Sequence, residues 1–429
     1  MAKVLIVGGG AAGLMAAGAA VRQGHEVTVL EHMEKLGQKI LVTGKGRCNV
    51  TNDCTAEEFL RHVRTNPRFL FSSLGAFPPA RTMELFEGLG VELKVERGRR
   101  VFPVSDRAEE IRQALLRYAE EARIVRDGAQ KLLLEPLAPA EEAAPAVPEN
   151  PRHPKKKKPG AACRCIGVRG TSGREYRADA VLVATGGLSY PTTGSTGDGY
   201  SIAAALGHTI IPPEGSLVPL ETAGNDCQEM QGLSLRNVGV KLLNAKGKVL
   251  YKDFGELLFA HFGISGPTVL SASCHLKGDG CRLVLDLKPA LEGEKLEARI
   301  LRDLEQYQNR SMENALVDLL PRSMIPVVLR RLDISPEMQA NSLTKQKRRA
   351  LVELLKAFPI DITGKRPVSE AIITSGGVKV SEIDPKTMES KLVAGLHFAG
   401  EVIDCDAYTG GFNLQIAWAT AYAAGMAVG

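Results

Sequence analysis

Aromatic residues are scarce in this chain, 5% of 429 residues with a single tryptophan. With so little material for stacking nucleobases and a net charge of only +5, a nucleic-acid partner is not expected, and a small anionic ligand or substrate suits the composition better. Also missing is any apolar run of about 18 residues that could span a bilayer. The opening "MAKVLIVGGG" is too short in its apolar part and too rich in glycine for a secretory signal. The expectation is therefore a cytoplasmic protein without a membrane span. Eight cysteines are present but form no regular framework, which reads as reduced thiols rather than disulfide partners. The one C-x-C pair, Cys163 and Cys165, lacks a second ligand pair, so no metal site is expected. No feature specifies an oligomeric state.

What is present begins with "KVLIVGGGAAGLMAAGAAVRQGHEVTVLE" at residues 3–31, which reads as strand, glycine turn, helix, strand. The unbroken apolar run Val4–Val7 fits a strand buried on both faces, and the small residues from Ala11 to Ala20 let a helix lie close on the sheet. Gly8, Gly10 and Gly13 make a G-x-G-x-x-G fingerprint, and Glu31 ends the following strand at the matching distance. Gly8 permits the tight turn, Gly10 lets backbone approach a diphosphate, and Gly13 allows helix and sheet to touch. The helix start offers unpaired amides and a positive dipole end, while Glu31 can accept from a ribose hydroxyl and disfavours a 2′-phosphate. On this stretch alone the dinucleotide is NAD or FAD.

Three later stretches bear on that choice. "TGKGRCNVTN", residues 43–52, has neither helical nor strand periodicity; its glycines let backbone amides face a ligand, with Lys39, Lys45 and Arg47 nearby to oppose negative charge. "VLVATGGLSYPTTGSTGDGYSIAAALGH" joins a buried strand through Ala184, Thr185, Gly186 and Gly187 to a glycine-rich loop and a helix from about Asp198. "LHFAGEVIDCDAYTGGFNLQIAWATAYAAG" repeats the pattern, with Glu401, Asp404, a Gly410–Gly411 turn and a helix from about Asn413. One helix start can serve a diphosphate and another a distal ring system, and NAD needs only the first.

The remaining texture divides the chain, whose length suggests two or three lobes. "SDRAEEIRQALLRYAEEA" predicts a helix capped by Ser105 or Asp106 with Glu109 at its positive end, and short apolar runs at 124–134 and 180–185 predict strands. Residues 136–160, dense in proline, alanine and charge and including the Lys155–Lys158 run, are expected to form a flexible, solvated hairpin tip. After about residue 208 alternating segments such as "VGVKLLNAKGKVLYKDFGELLF" predict antiparallel strands turning at Ala245–Gly247. Residues 290–357 show helical spacing among many charges, and α/β texture returns from about 370.

Together the glycine triad with Glu31, "GKGRCNVTN", "ATGGLSYPTTGSTGDGY", "FGELLFAHFGISGP" and "MESKLVAGLHFAGEVIDCDAYTGGFNLQ" resemble the signature blocks of the BaiN/YhiN-like flavoproteins, also described as NAD(P)/FAD-dependent oxidoreductases or aminoacetone-oxidase-family FAD-binding enzymes. The resemblance covers nearly the whole chain outside the 136–160 loop. It implies an α/β fold with a glutathione-reductase-like, FAD-binding Rossmann domain interrupted by a β-barrel and a helical subdomain. The expected boundaries are 1–207 for the first part of the FAD domain, 208–289 for the barrel, 290–357 for the helices, 358–374 for a return strand, and 375–429 for the completion of the FAD domain. It further implies non-covalent FAD. Gly8, Gly10 and Gly13 would meet the diphosphate and Glu31 the adenosine ribose, with Ala11, Ala12 and His32 also among the cofactor-binding residues. Lys39, Gly44, Gly46, Arg47, Cys48 and Asn49 would line the cofactor, joined by Ala184, Thr185, Gly186 and Asp198. Glu401 would hold the ribityl chain, with Gly400 beside it among the cofactor-binding residues, and Gly411, Phe412, Asn413 and Leu414 would set a helix start against the pyrimidine edge of the flavin. Ala407 and Ala260 depart from the pattern, standing where Gly and Thr are expected.

The reaction expected is hydride transfer from NADH or NADPH, a transient co-substrate since only one Rossmann fingerprint is visible, through flavin N5 to a small organic acceptor. The inserted lobe is expected to set substrate choice. His261, Tyr190 and Cys48 are candidate catalytic groups, His261 and Tyr190 as proton donors and Cys48, with Cys54, in a rival disulfide relay. Two further alternatives are a flavin amine oxidase producing hydrogen peroxide and a flavin-dependent redox sensor or scaffold.

Overall fold

The computed structural model describes residues 1–137, 161–276 and 278–429. The predicted loop at 136–160, with its lysine run, falls outside the described residues apart from Pro136 and Leu137. The chain folds as two compact units, one of Met1–Glu214 with Ile373–Gly429 and the other of Gly215–Ile372.

The first unit is built on a five-stranded sheet in the order Leu396–Phe398, Ala180–Val183, Lys3–Val7, Glu26–Glu31, Arg123–Arg126. Every neighbouring pair is parallel. Val4–Val7 and Ala180–Val183 are buried throughout, as strands covered on both faces must be. Helix Ala11–Arg22 lies on the sheet so closely that a Cβ on Gly13 would fall 1.8 Å from the Gly8 carbonyl oxygen. The C-terminal helix Phe412–Ala427 also approaches helix Ala11–Arg22 closely, since a Cβ on Gly425 would lie 2.6 Å from the Ala16 carbonyl oxygen. Alanine and glycine in both helices make this contact, which larger side chains would prevent.

A second sheet carries the antiparallel hairpin Ala129–Pro136 and Cys163–Gly170. Helix Ala108–Tyr118 forms where expected, but neither Ser105 nor Asp106 caps it. Asp106 is left-handed, φ 55°, and its carboxylate is held by Arg47 and Lys94; Ser105 instead turns its hydroxyl to Glu110.

In the second unit, six strands close into a barrel in the order Leu220–Thr222, Gly263–Ser265, Val249–Ala260, Ser234–Leu243, Arg282–Asp286, Phe358–Lys365. Val238, Val240 and Leu242 alternate inward along one strand. Helices Gly293–Gln306, Ile325–Arg331 and Lys345–Lys356 follow with one apolar face each. The expected fold class, a Rossmann-type α/β domain with an inserted barrel and helices, is the one observed.

One buried group in the first unit has a readable pH consequence. The His208 ring is enclosed, with Nε2 at 2.9 Å from Ser390 Oγ and Nδ1 at 3.4 Å from Glu382. Burial lowers its pKa, against the raising influence of Glu382. Because the folded value lies below the unfolded value of about 6.5, its stabilising contribution is complete above that pH and is lost as pH falls toward the folded pKa. Thermal unfolding should therefore be flat from about pH 8 to 7 and weaken below about 6.5. A His208→Gln variant should lose part of that slope; an unchanged slope would remove His208 as its origin.

Candidate cofactor site

Parallel pairing brings four strand ends to one edge of the sheet. Val7 leads to Gly8, Glu31 ends its own strand, Val183 leads to Ala184–Gly187, and Phe398 leads to Gly400–Glu401. This edge, beyond the carboxyl ends of parallel strands, is where open α/β sheets bind ligands. Gly8 is left-handed, φ 102°, and passes so near the next strand end that a Cβ would sit 2.6 Å from the Ala184 carbonyl oxygen. At Gly10 the opposite holds: a Cβ would meet no protein atom within 4 Å. Gly10 is also the N-cap of helix Ala11–Arg22, and no side chain caps that helix. Open space therefore lies before an uncapped helix start, at Ala11 and Ala12.

Glu31 is fixed by backbone. One carboxylate oxygen accepts from Gly9 N–H at 2.7 Å and the other from Met33 N–H at 2.8 Å, with His32 Nδ1 at 3.5 Å. Each oxygen keeps acceptor capacity for a further hydroxyl. Gly9 was not singled out from the sequence although the run of three glycines includes it.

Glu401 lies at a denser junction. Its carboxylate accepts from Lys39 Nζ at 2.6 Å, Ser189 Oγ at 2.9 Å and Thr374 N–H at 2.8 Å. Lys39 also donates to Ser189 Oγ at 2.7 Å, and Thr374 Oγ1 accepts from Leu188 and Ser189 N–H at 2.7 and 3.1 Å. Both Lys39 and Glu401 thus have protein partners, and together they latch the Gly187–Ser189 loop. Ser189 and Thr374 carried no sequence signal, because their role depends on segments separated by nearly two hundred residues. Two residues before that loop, the buried Thr185 hydroxyl has no hydrogen-bond partner among the described residues. Gly400, φ 76°, has its N–H held by Thr420 Oγ1 at 3.0 Å.

Gly44, Lys45, Gly46 and Cys48 are all left-handed, so this loop turns through conformations that favour glycine. Arg47 spends its charge on Glu96 and Asp106 and stacks 4.1 Å above the Phe102 ring centroid. Asn49, with its amide oriented to suit its neighbours, donates to the Thr51 and Val101 carbonyls and accepts from Gly411 N–H at 2.9 Å. That bond ties the loop to the start of helix Phe412–Ala427, which has no side-chain cap. Asn413 folds back on the Ala407 backbone, accepting at 2.9 Å and donating at 2.8 Å, and buried Ala407 leaves room for it. Phe412 is buried under the His62 ring, stacked at 4.4 Å, and Leu414 is partly buried against the core.

The candidate catalytic groups belong to separate segments of the chain. Cys48 is fully buried, and burial pushes its thiol up to about 12, while Cys54 is pushed up to about 11, chiefly by burial. Thiols so held stay protonated at neutral pH, which disfavours the disulfide relay. Tyr190 is left-handed, φ 53°, with its carbonyl accepting from Thr193. Asp198 is exposed at its helix start. His261 belongs to the second unit, exposed beside the Phe262 ring, and Ala260 ends a barrel strand there.

These features suit a long dinucleotide: open space before an uncapped helix start, an acid with spare acceptor capacity, an unpartnered buried hydroxyl and a second uncapped helix start. The HI0933-like protein Rossmann domain family matches residues 2–133 and 156–427, and the chain belongs to it. It is 31% identical to a 3-dehydro-bile acid Δ4,6-reductase of Clostridium scindens, over 100% of this chain and 99% of that one. It is also 31% identical to a ribosomal RNA dihydrouridine synthase of Haemophilus influenzae, over 99% and 98%. Among solved structures, a 3-ketosteroid Δ4-(5α)-dehydrogenase from Rhodococcus jostii RHA1 aligns over 100% of this chain and 96% of its own with TM-score 0.48 and 15% identity, which carries no functional weight. Among the described residues no helix is long and apolar enough to cross a membrane.

Replacing Lys39 by Met removes a half-buried cation from Glu401 and Ser189. The variant should lose about 1–3 kcal/mol of stability, read by denaturant unfolding, with faster amide exchange at Gly187–Ser189. Unchanged exchange there would contradict the latch.

Proposed function

We propose that this protein is an FAD-dependent reductase that takes electrons from NADH or NADPH and reduces a carbon–carbon double bond conjugated to a carbonyl. FAD, when bound, would supply the hydride chemistry. Gly10, Ala11 and Ala12 would present the open helix start to its diphosphate, Glu31 would accept from its ribose, and Thr185 would offer a hydroxyl. The Asn49–Gly411 bond would keep the second helix start in place, so that its positive end opposes negative charge on a reduced ring system. Lys39 and Glu401 would act through the Gly187–Ser189 loop, holding its backbone still.

The observation that carries the cofactor half of this reading is the empty volume at Gly10. For the reaction, support comes from what the two relatives' names share. A 3-dehydro steroid with Δ4,6 unsaturation and the uracil ring of uridine both contain a double bond conjugated to a carbonyl, and both names describe its reduction. Each double bond reduced takes one hydride, on the carbon at the far end of the conjugated system, and one proton on its neighbour nearer the carbonyl; uridine needs one such addition, and full saturation of a Δ4,6 dienone needs two.

Purified protein should be yellow and release FAD on denaturation, and NADH or NADPH should bleach it anaerobically. Colour should return on adding an enone or a uridine-containing RNA, with the double bond reduced stoichiometrically. Flavin that stays oxidised with both nicotinamides, or hydrogen peroxide formed from an amine without either, would overturn the reductase reading. A sharper check is Gly10→Val. Because a Cβ there meets no protein, the variant should fold with a melting temperature close to that of the apo wild type, yet its FAD affinity should fall by at least about 100-fold, or about 2.7 kcal/mol.

A further inference from the structure

We infer that a solvent-facing basic rim on the first compact unit is the docking surface for the phosphodiester backbone of an RNA substrate. This rests on the reductase reading above and selects the RNA among the acceptors that reading allows.

Three stretches far apart in sequence meet at this rim. Asn52 Nδ2 donates to the Gly98 carbonyl at 3.0 Å and to the Gly410 carbonyl at 3.1 Å. The tip between strands Leu93–Glu96 and Arg100–Pro103 is thereby tied to the Gly410–Gly411 turn. Along the other side of that turn, Tyr408 N–H donates to the His62 carbonyl at 3.1 Å and Arg64 N–H to the Asp406 carbonyl at 2.8 Å. His62–Arg68, Arg97–Arg100 and Tyr408–Gly411 therefore share one edge. The helix start assigned to the cofactor rises from it.

The charge on this edge is unbalanced. Arg61 and Arg99 are neutralised by Glu57 and Glu58 at 2.6 and 2.8 Å. Arg64, Arg68 and Arg97 have no carboxylate partner among the described residues; Arg68 and Arg97 are exposed and Arg64 is half-buried. The neighbouring acids Asp404 and Asp406 are buried and hydrogen-bonded to Asn66, Thr65 and Ser375, so they do not face these guanidiniums from solvent; the exposed Asp53, whose N–H donates to the Arg99 carbonyl, offsets one charge and leaves the edge net positive. A carboxylate on a small acceptor could occupy one arginine, whereas three on two adjoining segments match a polyanion.

Flat faces accompany the charge. The exposed His62 ring lies on Phe412, tilted by 7°, and Phe71, on the helix that follows Arg68, is 71% exposed. Guanidiniums on phosphates with nearby rings for bases are the components of single-strand recognition. Scarcity of aromatics in the whole chain is no obstacle when the exposed rings of His62 and Phe71 flank the Arg64–Arg68 stretch.

The test uses the full chain with its flavin and a labelled single-stranded fragment of ribosomal RNA. The wild type should bind with an affinity that falls steeply with salt. A double variant, Arg68→Ser with Arg97→Ser, should bind at least about 10-fold more weakly and show a salt slope shallower by about 1.4, two contacts at about 0.7 each. Its flavin content, reduction by nicotinamide and turnover of a small enone should match the wild type. Should the double variant melt early, Arg97→Glu alone, at an exposed turn, should give the same loss of RNA binding. Affinity and slope indifferent to these changes, or binding to anionic lipid vesicles in place of RNA, would overturn the inference. Flavin content and reduction report on the reductase reading separately, so a flavin-loaded, nicotinamide-reducible enzyme whose RNA affinity ignores both arginines refutes the rim alone.

Discussion

Parallel hydrogen bonding in the central sheet is the constraint on which the candidate site depends. Because Lys3–Val7, Glu26–Glu31, Ala180–Val183 and Leu396–Phe398 all run the same way, their carboxyl ends emerge along one edge. Residues separated by up to about four hundred positions become neighbours for that reason. A reversed strand would carry its glycine turn to the opposite edge, away from the start of helix Ala11–Arg22 and from Glu31 and Glu401.

A second constraint is the near contact of backbones. Gly13 against Gly8, and Gly425 against Ala16, leave no space for a side chain, while Gly10 leaves space that nothing in the protein fills. The same residue type thus has two opposite purposes within one motif. Where a Cβ would collide, glycine serves packing; where it would hang free, glycine keeps a surface open for a ligand. Helix Phe412–Ala427 is anchored in a comparable way: buried Gln415 accepts from Thr51 and Thr82 and donates to the Phe77 carbonyl, and Trp418 donates to the Val50 carbonyl. Those bonds hold its open start in a fixed position.

Much of the fold was legible beforehand because it follows from local periodicity. The buried run Val4–Val7, the small-residue helix after it and the alternating barrel strands each announce themselves within about a dozen residues. The cap expected at Ser105 or Asp106 failed because Asp106 found stronger partners in Arg47 and Lys94, which sit on other segments. Arg47 itself, read as charge available to a ligand, is balanced by Glu96 and Asp106. Lys39 was singled out, but not its bond to Glu401, nor the parts played by Ser189 and Thr374.

The sequence by itself determined the nucleotide-binding fingerprint, the succession of strands and helices, and the insertion of a lobe, part β and part α, within the first domain, since each is written in spacing and composition along a short stretch; that the β part is a barrel came from the family resemblance. Tertiary structure alone decided which charged groups neutralise one another, that Cys48 is sealed from solvent, and that arginines from the 60s and the 90s face solvent beside the Gly410 turn. The physical reason is range: periodicity is a property of neighbours in the chain, whereas electrostatic pairing and burial are properties of neighbours in space.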